Sequence, residues 1–366
     1  MVMTAELASI LTGGSQAGAR PVEWRVIKKR GEALLLLPAS DCAASRTLDL
    51  YPAQTGKARL LREGLRLALR CGFPLPLERY AGSVAGPFQQ LATRLNGGDF
   101  PEMGVLLGNP AAPGRRFIFV LFDARGEPAW VIKAGASPEA RKRLAHEARI
   151  LQALPPGTMG VPHLRHFEEW DFGSAIVSPF IPGRSPNDAG GELATLMRAW
   201  IQRDEEVAIG SLESWQPLAA SAAGDPRLAE FARHRAHPVL VHGDFAPWNV
   251  RAHCGAWTVI DWESAALRGV PGWDWLHFII QRAVLVRRSS AESVVCELRE
   301  LIESEPFRSY AAAAGLRGFE QQIARSYLLF CAEVLRPTEG LDRMREVQAL
   351  VALSGGLGGI AHPRNG

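Results

Sequence analysis

The sequence predicts an α+β protein with two lobes and an additional N-terminal segment. Short apolar runs separated by polar turns containing glycine or proline dominate residues 101–183, and such runs are typical of antiparallel strands. In residues 184–366 the apolar residues recur at spacings of three and four, which indicates helices. A chain of 366 residues, 47% of them hydrophobic, exceeds one typical domain. We therefore expect a sheet-containing small lobe, a mostly helical large lobe and an appendage formed by residues 1–100.

The N-terminal segment, residues 1–100, is expected to form a small α+β appendage. Apolar runs predict strands at 22–27, 32–37 and 46–51, and a helix is predicted at about 55–71. No motif in this segment indicates a chemical role. Recruitment of a protein partner is one possibility that its position at the end of the chain leaves open.

The helix predicted at about 55–71 carries an apolar face and a basic stripe. The apolar face comprises Leu60, Leu61, Leu65, Ala68 and Leu69. The basic stripe comprises Arg59, Arg62, Arg66 and Arg70. A solvated basic face is the default interpretation, and contact with a lipid surface, a nucleic acid or a carrier phosphate is the alternative. Because no aromatic residues are interleaved with the arginines, we expect no nucleic-acid partner.

A pair of strands and a helix follow in residues 115–154. The strands are predicted at 115–122 and 129–133, and Lys133 ends the second strand. The next segment predicts a helix with one apolar face that contains Leu144, Glu147, Ile150, Leu151 and Leu154. Taken alone, Lys133 would be interpreted as a solvated strand end and Glu147 as a surface residue. A carboxylate on an otherwise apolar face requires a partner, however, so we expect Glu147 to contact Lys133.

Two short motifs carry the residues best suited to catalysis. Residues 242–249 read His-Gly-Asp-Phe-Ala-Pro-Trp-Asn, and residues 259–263 read Val-Ile-Asp-Trp-Glu. Phosphoryl transfer requires a carboxylate that orients the acceptor and takes its proton, and it requires oxygen ligands that hold Mg²⁺ against the triphosphate. Asp244, Asn249 and Asp261 supply these groups at a spacing used for that chemistry.

These motifs resemble those of the aminoglycoside phosphotransferase and choline kinase superfamily, which consists of small-molecule kinases with a protein-kinase-like fold. The catalytic loop of that superfamily reads HGDxxxxN and its metal loop reads IDxE, while this chain has HGDFAPWN and IDWE. The resemblance covers approximately residues 101–366. It implies a bilobal kinase-like fold, divided into a small lobe with the hinge at 101–183 and a large lobe at 184–366.

The resemblance implies a role for each matching residue of the large lobe. Asp244 is expected to be the catalytic base, with His242 bracing the catalytic loop. Asn249, which also belongs to the catalytic loop, and Asp261 are expected to bind Mg²⁺. Asp274 is expected to support the catalytic loop by hydrogen bonding, although an ordinary helix N-cap is the simpler interpretation of an aspartate at that position.

In the small lobe, the resemblance implies a nucleotide-binding site. Lys133 would contact the α- and β-phosphates, with Glu147 holding its ammonium group in place. The segment that ends near residue 183 resembles the hinge between the lobes. There the carbonyl of Pro179 could accept a hydrogen bond from the base, and the backbone N–H of Ile181 or Phe180 could donate one, because proline has no N–H.

The implied activity is Mg²⁺-dependent transfer of the γ-phosphoryl group of ATP or GTP to a hydroxyl of a small molecule, such as a sugar, an amino sugar or an amino alcohol. A protein substrate is disfavoured because Gly243 takes the place of the arginine that holds a phosphorylated activation segment in protein kinases. Only twelve residues separate Asp261 from Asp274, too few for such a segment. The alternative function is a nucleotide-binding pseudokinase that acts as an interaction module in a biosynthetic complex.

The site of the acceptor is expected among helices of the large lobe. Such helices are predicted at 192–207, 275–280, 291–302, 319–335 and 341–353. In the turn 204–206, three consecutive acidic residues could meet a cationic acceptor, although a solvated acidic turn is the simpler interpretation. Four tryptophans lie near the motifs, and one of them could stack on a sugar or a quaternary amine: Trp248, Trp262, Trp273 and Trp275.

Composition limits the remaining possibilities. The chain has no uninterrupted apolar segment long enough to span a membrane, and its N-terminus lacks the basic start and apolar core of a signal peptide. We therefore expect a cytoplasmic protein without a transmembrane segment. The five cysteines are scattered and show no CxxC spacing, so they suggest neither a disulfide framework nor a zinc site.

Overall fold

A computed structural model describes residues 4–15, 17–51, 56–110, 114–186 and 190–335 of the chain. The chain divides into two compact units, Met1–Pro182 and Gly183–Gly366. The first unit combines a large sheet with helices, and the second is mostly helical, which confirms the predicted α+β class. No helix in the described part of the chain is both long and apolar enough to cross a membrane.

The first unit is built on an antiparallel sheet whose strands come from both sides of residue 100. Eight strands of the described residues form this sheet, in the order β3-β1-β2-β4-β5-β6-β8-β7. They are β1 (Arg20–Lys29), β2 (Glu32–Leu37), β3 (Glu78–Val84), β4 (Met103–Leu106), β5 (Phe117–Phe122), β6 (Pro128–Gly135), β7 (His166–Trp170) and β8 (Gly173–Pro179). The predicted three-part division of the chain stays a prediction, but residues 1–100 share one sheet with the strands that follow them.

Helices of the first unit cover both faces of this sheet. They are α1 (Ala5–Thr12), α2 (Asp41–Thr47), α3 (Gly56–Arg70), α4 (Gly86–Leu95) and α5 (Pro138–Ala153). Side chains alternate along β5, so that Phe119 joins the core beneath α1 and α4 while Val120 packs in a cluster with Ala43 of α2. A strand buried on both faces reads as a continuous apolar run, as the sequence of β5 does.

Two predictions for residues 1–100 are wrong. Residues 46–51, predicted as a strand, continue α2 and then form a 3₁₀ turn. Their apolar positions belong to a helix that begins after Ser40, and the hydroxyl of Thr47 donates to the carbonyl of Ala43 at 2.9 Å. The predicted apolar face of α3 is also divided, because Leu69 is buried whereas Leu60 and Leu61 are exposed.

The second unit is mostly helical. Its helices are α6 (Gly190–Ala199), α7 (Ala219–Ala223), α8 (Pro226–Arg233), α9 (Trp273–Gln281), α10 (Ala291–Glu303), α11 (Glu305–Ala313) and α12 (Glu320–Phe330). Its short strands are β9 (Val207–Ala208), β10 (Arg235–Ala236), β11 (Val239–Val241), β12 (Val250–His253), β13 (Ala256–Val259) and β14 (Ala266–Gly269). They pair as β9 with β10, β11 with β14 and β12 with β13.

Several helices of the second unit differ from their predicted bounds. The helix predicted at 192–207 ends at Ala199, and a strand rather than a helix occupies Val207–Ala208. Within the helix predicted at 319–335, α12 covers Glu320–Phe330 and a π-helical turn follows at Cys331–Leu335. The helix predicted at 341–353 lies outside the described residues.

Candidate active site

Lys133 and Glu147 form a buried ion pair in the first unit. Lys133 lies on β6, where it is opposite Ile118 of β5 and Ile176 of β8. Its Nζ donates to Oε2 of Glu147 at 2.7 Å, and the two side chains are 11% and 4% exposed. A buried charge requires a partner of opposite sign, which explains the carboxylate on an apolar helix face. The predicted contact is present, and its role in nucleotide binding stays a prediction.

The position of α5 against β6 depends on small residues and a helix cap. The hydroxyl of Ser137 accepts a hydrogen bond from the N–H of Ala140 at 3.2 Å, and Pro138 occupies the first turn, where its missing N–H costs little. A Cβ added to Gly135 would lie 2.4 Å from Cβ of Ala140. Glycine at this position therefore lets α5 pack closely against the end of β6, and this packing places Glu147 within reach of Lys133.

The hinge segment presents one carbonyl and one candidate N–H donor. The N–H of Phe180 donates to the carbonyl of Ala129 at 2.9 Å, so it is engaged in the sheet. In the register of β6 and β8, Pro179 is opposite Trp130. Because hydrogen-bonded and non-hydrogen-bonded pairs alternate in an antiparallel ladder, the carbonyl of Pro179 points away from β6. Of the two donors considered from the sequence, the backbone N–H of Ile181 is therefore the better candidate.

In the second unit, Asp274 holds the start of the catalytic loop. Its Oδ2 accepts from the backbone N–H of His242 at 2.6 Å, and its Oδ1 accepts from the N–H of Gly243 at 3.0 Å. The N-cap of α9 is Gly272, so Asp274 lies inside the first turn and does not cap the helix. Both carboxylate oxygens therefore fix the backbone at the residues that precede Asp244.

Gly243 is required by the path of the catalytic loop. Its φ of 81° is a left-handed conformation that residues with a Cβ adopt at a cost. A Cβ at this position would also lie 2.3 Å from the carbonyl oxygen of Ser264. The loop can accordingly make its turn between β11 and Asp244 only with glycine at this position.

His242 connects the catalytic loop to the segment that leads to Asp261. The side chain is fully buried, and its Nε2 lies 3.0 Å from the carbonyl oxygen of Ile260. Its Nδ1 is 3.3 Å from the backbone nitrogen of Asp244. Since a carbonyl can only accept and a backbone N–H can only donate, Nε2 carries the proton and Nδ1 accepts. The neutral imidazole thus satisfies one group from each segment.

Burial raises the pKa of the Asp274 carboxyl above its ordinary value of 3.8. The backbone N–H donors of His242 and Gly243 act in the opposite direction, because they favour the ionised form. Desolvation has the larger effect, since the carboxyl is 5% exposed. The proton is therefore held more tightly in the folded protein than in the unfolded chain.

The carboxylate of Asp244 is oriented from two sides. Nδ2 of Asn249 donates both to the backbone carbonyl of Asp244 and to its Oδ2, each at 2.9 Å. Nε2 of His277 lies 3.1 Å from Oδ1. The Asp244 side chain nevertheless stays 38% exposed, so a small molecule can reach it. Because the amide nitrogen of Asn249 is used in these bonds, its Oδ1 is the atom suited to bind a metal ion.

His277 and Tyr327 are site residues that sequence reasoning missed. Nδ1 of His277 lies 2.6 Å from the hydroxyl of Tyr327, and both residues are almost fully buried. A carboxylate accepts hydrogen bonds, so Nε2 of His277 carries the proton toward Asp244, while Nδ1 forms a hydrogen bond with the Tyr327 hydroxyl. The available signal was the spacing of His277 three residues after Asp274, which places both on one side of α9.

The hairpin formed by β12 and β13 brings the two predicted metal ligands to the same end. Val250 pairs with Val259, and the N–H of Ile260 donates to the carbonyl of Asn249 at 2.8 Å. Asp261 follows directly, with a φ of 73°. A left-handed aspartate costs about 1–3 kcal/mol and persists where the surroundings require it. Its carboxylate and Oδ1 of Asn249 are hard oxygen donors, which suit Mg²⁺.

The residues considered for acceptor binding have their own partners in the second unit. Glu205 forms an ion pair with Arg268, and the carbonyl of Glu206 accepts from Arg235. These contacts favour the interpretation of 204–206 as a structural acidic turn. Three of the four tryptophans near the motifs are buried, namely Trp262, Trp273 and Trp275. Trp248 is partly exposed, which makes it the better candidate of the four for stacking on a ligand.

No protein-family model matches the sequence, and no curated protein matches it. Solved structures of kinases are similar to the chain. Amicoumacin kinase hAmiN, in complex with AMP-PNP, Ca²⁺ and Ami, has a TM-score of 0.44 and 12% identity, over 69% of this chain and 88% of that chain. A thermostable mutant of aminoglycoside phosphotransferase APH(4)-Ia, in complex with AMP-PNP and hygromycin B, has a TM-score of 0.41 and 17% identity, over 73% and 98%.

A third similar structure is aminoglycoside phosphotransferase APH(3'')-Id from Streptomyces rimosus ATCC10970, with a TM-score of 0.38 and 15% identity, over 64% of this chain and 89% of that chain. By name, the first of these structures is a kinase and the other two are phosphotransferases. At these TM-scores and identities the similarity does not assign an activity to this chain, because one fold can carry many functions.

Proposed function

We propose that this chain is a phosphotransferase that moves the γ-phosphoryl group of ATP or GTP to a hydroxyl of a small molecule, in a reaction that depends on Mg²⁺. The observation that carries the proposal is the carboxylate of Asp244, which Asn249 and His277 orient while its side chain stays 38% exposed. A general base must be held in place and must also be reachable by the group that it deprotonates.

In the proposed reaction, the acceptor hydroxyl attacks the γ-phosphorus atom and the bond from that atom to the β–γ bridging oxygen breaks. Asp244 orients the hydroxyl and takes its proton, so the nucleoside diphosphate leaves as the new phosphate ester forms. Asn249 and Asp261 would hold Mg²⁺, which supplies charge neutralisation at the phosphates. Lys133, held by Glu147, would bind the α- and β-phosphates.

The hinge residues support a nucleotide as the donor but leave the base open. The carbonyl of Pro179 points away from β6 and could accept from an exocyclic amine, while the N–H of Ile181 could donate to a ring nitrogen. Adenine and guanine both offer acceptors to such a donor. We therefore propose ATP or GTP without a preference.

The acceptor class follows from the chemistry of the exposed carboxylate and its neighbour. A sugar, an amino sugar or an amino alcohol carries the required hydroxyl, and the partly exposed Trp248 could stack on a sugar ring or contact an ammonium group.

The first test is a thermal-shift comparison with ATP and GTP, each with and without Mg²⁺. A ligand present at 100 times its Kd stabilises the folded state by roughly 2.7 kcal/mol, which is readily measured. We expect Mg²⁺-dependent stabilisation by at least one nucleotide, followed by acceptor-dependent nucleoside diphosphate release in a screen of amino sugars and amino alcohols. Nucleotide binding without Mg²⁺ dependence, together with no turnover on any acceptor, would instead favour the pseudokinase function.

A further inference from the structure

The surface of α3 carries a cluster of exposed apolar side chains. In the part of the chain that the structure describes, six large apolar residues are exposed, and four of them lie between residues 60 and 73. They are Leu60, Leu61, Leu67 and Phe73, with exposures of 77%, 66%, 63% and 64%. Single exposed leucines are ordinary, but a concentration of this kind on one short segment is typical of an interaction surface.

The apolar cluster lies opposite the face that α3 uses within the fold. Leu69 is buried, and Leu65 packs with it against a cluster that includes Leu35 and Leu48. At about 100° per residue, Leu60 lies roughly 180° around the helix from Leu69, and Leu67 roughly 160°. The helix is therefore apolar on two opposite faces, and the described fold covers one of them.

Basic residues accompany the outer face. The helix contains five basic residues and one acidic residue, Glu63, which gives it a net charge of +4. Lys57, Arg59 and Arg70 are exposed. Lys29, at the end of β1, lies beside the helix as well. Its ammonium group donates to the hydroxyl of Tyr51 at 3.2 Å, and the guanidinium of Arg62 in α3 donates to the carbonyl of the same tyrosine at 3.3 Å.

We propose that the outer face of α3 binds an anionic lipid surface. An amphipathic helix with leucines on one face and lysines or arginines beside them lies in the plane of the membrane interface, where the leucines enter the acyl boundary and the basic groups meet anionic headgroups. The long stems of lysine and arginine allow their charges to stay at headgroup level. Phe73, three residues after the helix end, extends the apolar surface.

The charge of α3 and the width of its exposed apolar face both favour a lipid surface over a second copy of the chain. Pairing two copies through this face would bring the exposed Lys57, Arg59 and Arg70 of each copy close to those of the other, and like charges across an interface oppose association. The exposed leucines also spread from Leu67 to Leu61, about a third of the helix circumference, which is wider than the seam of a helix pair. A planar anionic surface fits both properties.

The test is co-sedimentation of the whole protein with phosphatidylcholine vesicles, with and without phosphatidylglycerol. We expect binding to the anionic vesicles, weakened by salt and absent from phosphatidylcholine alone. The variant Leu60→Ser/Leu67→Ser should lose at least about tenfold in affinity. The variant Arg59→Gln/Arg70→Gln should lose about twentyfold, since each basic residue near the surface contributes roughly a factor of five.

Matched controls use exposed residues elsewhere in the chain. Met159→Ser removes an apolar side chain that is 50% exposed, and Arg308→Gln/Arg317→Gln removes two exposed positive charges. All controls should bind like the wild type, and every variant should keep its unfolding midpoint because the changes are on the surface. Wild-type binding by the leucine variant would overturn the proposal. So would a dimer in solution that Leu60→Ser/Leu67→Ser dissociates, because the face would then belong to a second copy.

Discussion

The carboxylate of Asp274 accepts a hydrogen bond from the backbone N–H of His242 at 2.6 Å, and this bond joins the first turn of α9 to the catalytic loop. The same carboxylate accepts from the N–H of Gly243 at 3.0 Å. The two partners are 32 positions apart in the sequence, so a buried side chain determines a backbone conformation from a distant part of the chain.

The first prediction concerns the pH dependence that this buried carboxyl contributes. Burial raises the pKa of Asp274 in the folded state. Between its ordinary value of 3.8 and the raised value, the folded protein keeps a proton that the unfolded chain has released. The contribution of Asp274 to the free energy of unfolding is therefore fully present below 3.8 and decreases as pH rises through the raised pKa.

Denaturant unfolding of the wild type and Asp274→Asn over acidic to neutral pH measures this contribution. The difference in unfolding free energy between the two proteins should change with pH in the stated direction. Asp99→Asn, at an exposed aspartate, is the control for the removal of one carboxylate. A pH-independent difference for Asp274→Asn would contradict the assignment of a raised pKa.

The second prediction concerns the Lys133–Glu147 ion pair. Lys133→Met should weaken nucleotide binding strongly, and Glu147→Gln should weaken it less, because the second change disorients the lysine without removing its charge. Since the side chains are in contact, their effects on binding measured by calorimetry should be coupled by about 0.5–3 kcal/mol.

The control for this cycle is Glu139→Gln on the exposed face of α5, where Glu139 pairs with Arg143. Combined with Lys133→Met, it should be additive within about 0.3–0.5 kcal/mol. Additivity in the Lys133 and Glu147 cycle as well would show that their contact does not position the lysine for nucleotide.

Much of this site was predictable from the sequence because its parts are local. The bounds of β2 agree with the predicted strand 32–37, and the contact between Lys133 and Glu147 follows from an apolar strand followed by a helix with one buried carboxylate. Residues 46–51 were wrongly predicted because a run with alternating apolar residues suits a strand as well as a short helix. The helix that runs into this segment, α2, begins after Ser40, outside that run.

Long-range contacts were the least predictable part. His277 lies within a helix that is apolar on almost every side, and its partner Tyr327 is fifty residues later on α12. Periodicity gives the face of a helix but not the identity of the residue that packs on it. The exposed leucines of α3 were unpredictable for the same reason. When a helix has two apolar faces, its sequence does not indicate which of them the fold buries.

The third prediction concerns Asp261, the proposed metal ligand. Asp261→Ala should remove most of the Mg²⁺ dependence of nucleotide binding, because it deletes a charged oxygen ligand beside the phosphates. Asn249→Ala should have a smaller effect, since it removes a neutral ligand. Mg²⁺ titration of nucleotide binding by thermal shift measures both. A wild-type Mg²⁺ response in Asp261→Ala would remove this residue from the metal site.

The fourth prediction concerns Asp244 as the proposed general base. Asp244→Asn should keep nucleotide binding close to that of the wild type and lower kcat by about a hundredfold or more, since a positioned general base contributes on the order of 10²–10⁴. Asp99→Asn again provides the matched exposed control. If Asp244→Asn turned over the true acceptor at the wild-type rate, another group would have to accept the proton.

The last prediction separates positioning from packing at His277. Nε2 of His277 donates to Oδ1 of Asp244, and the amide nitrogen of a glutamine can take nearly the same position. His277→Gln should therefore keep a substantial part of kcat, whereas His277→Leu, which fills similar space without a donor, should lower kcat by about tenfold or more with little change in the KM for nucleotide. Tyr327→Phe removes the hydroxyl that is hydrogen-bonded to Nδ1, so it should have a smaller effect in the same direction. Equal losses in the glutamine and leucine variants would mean that His277 acts through packing alone.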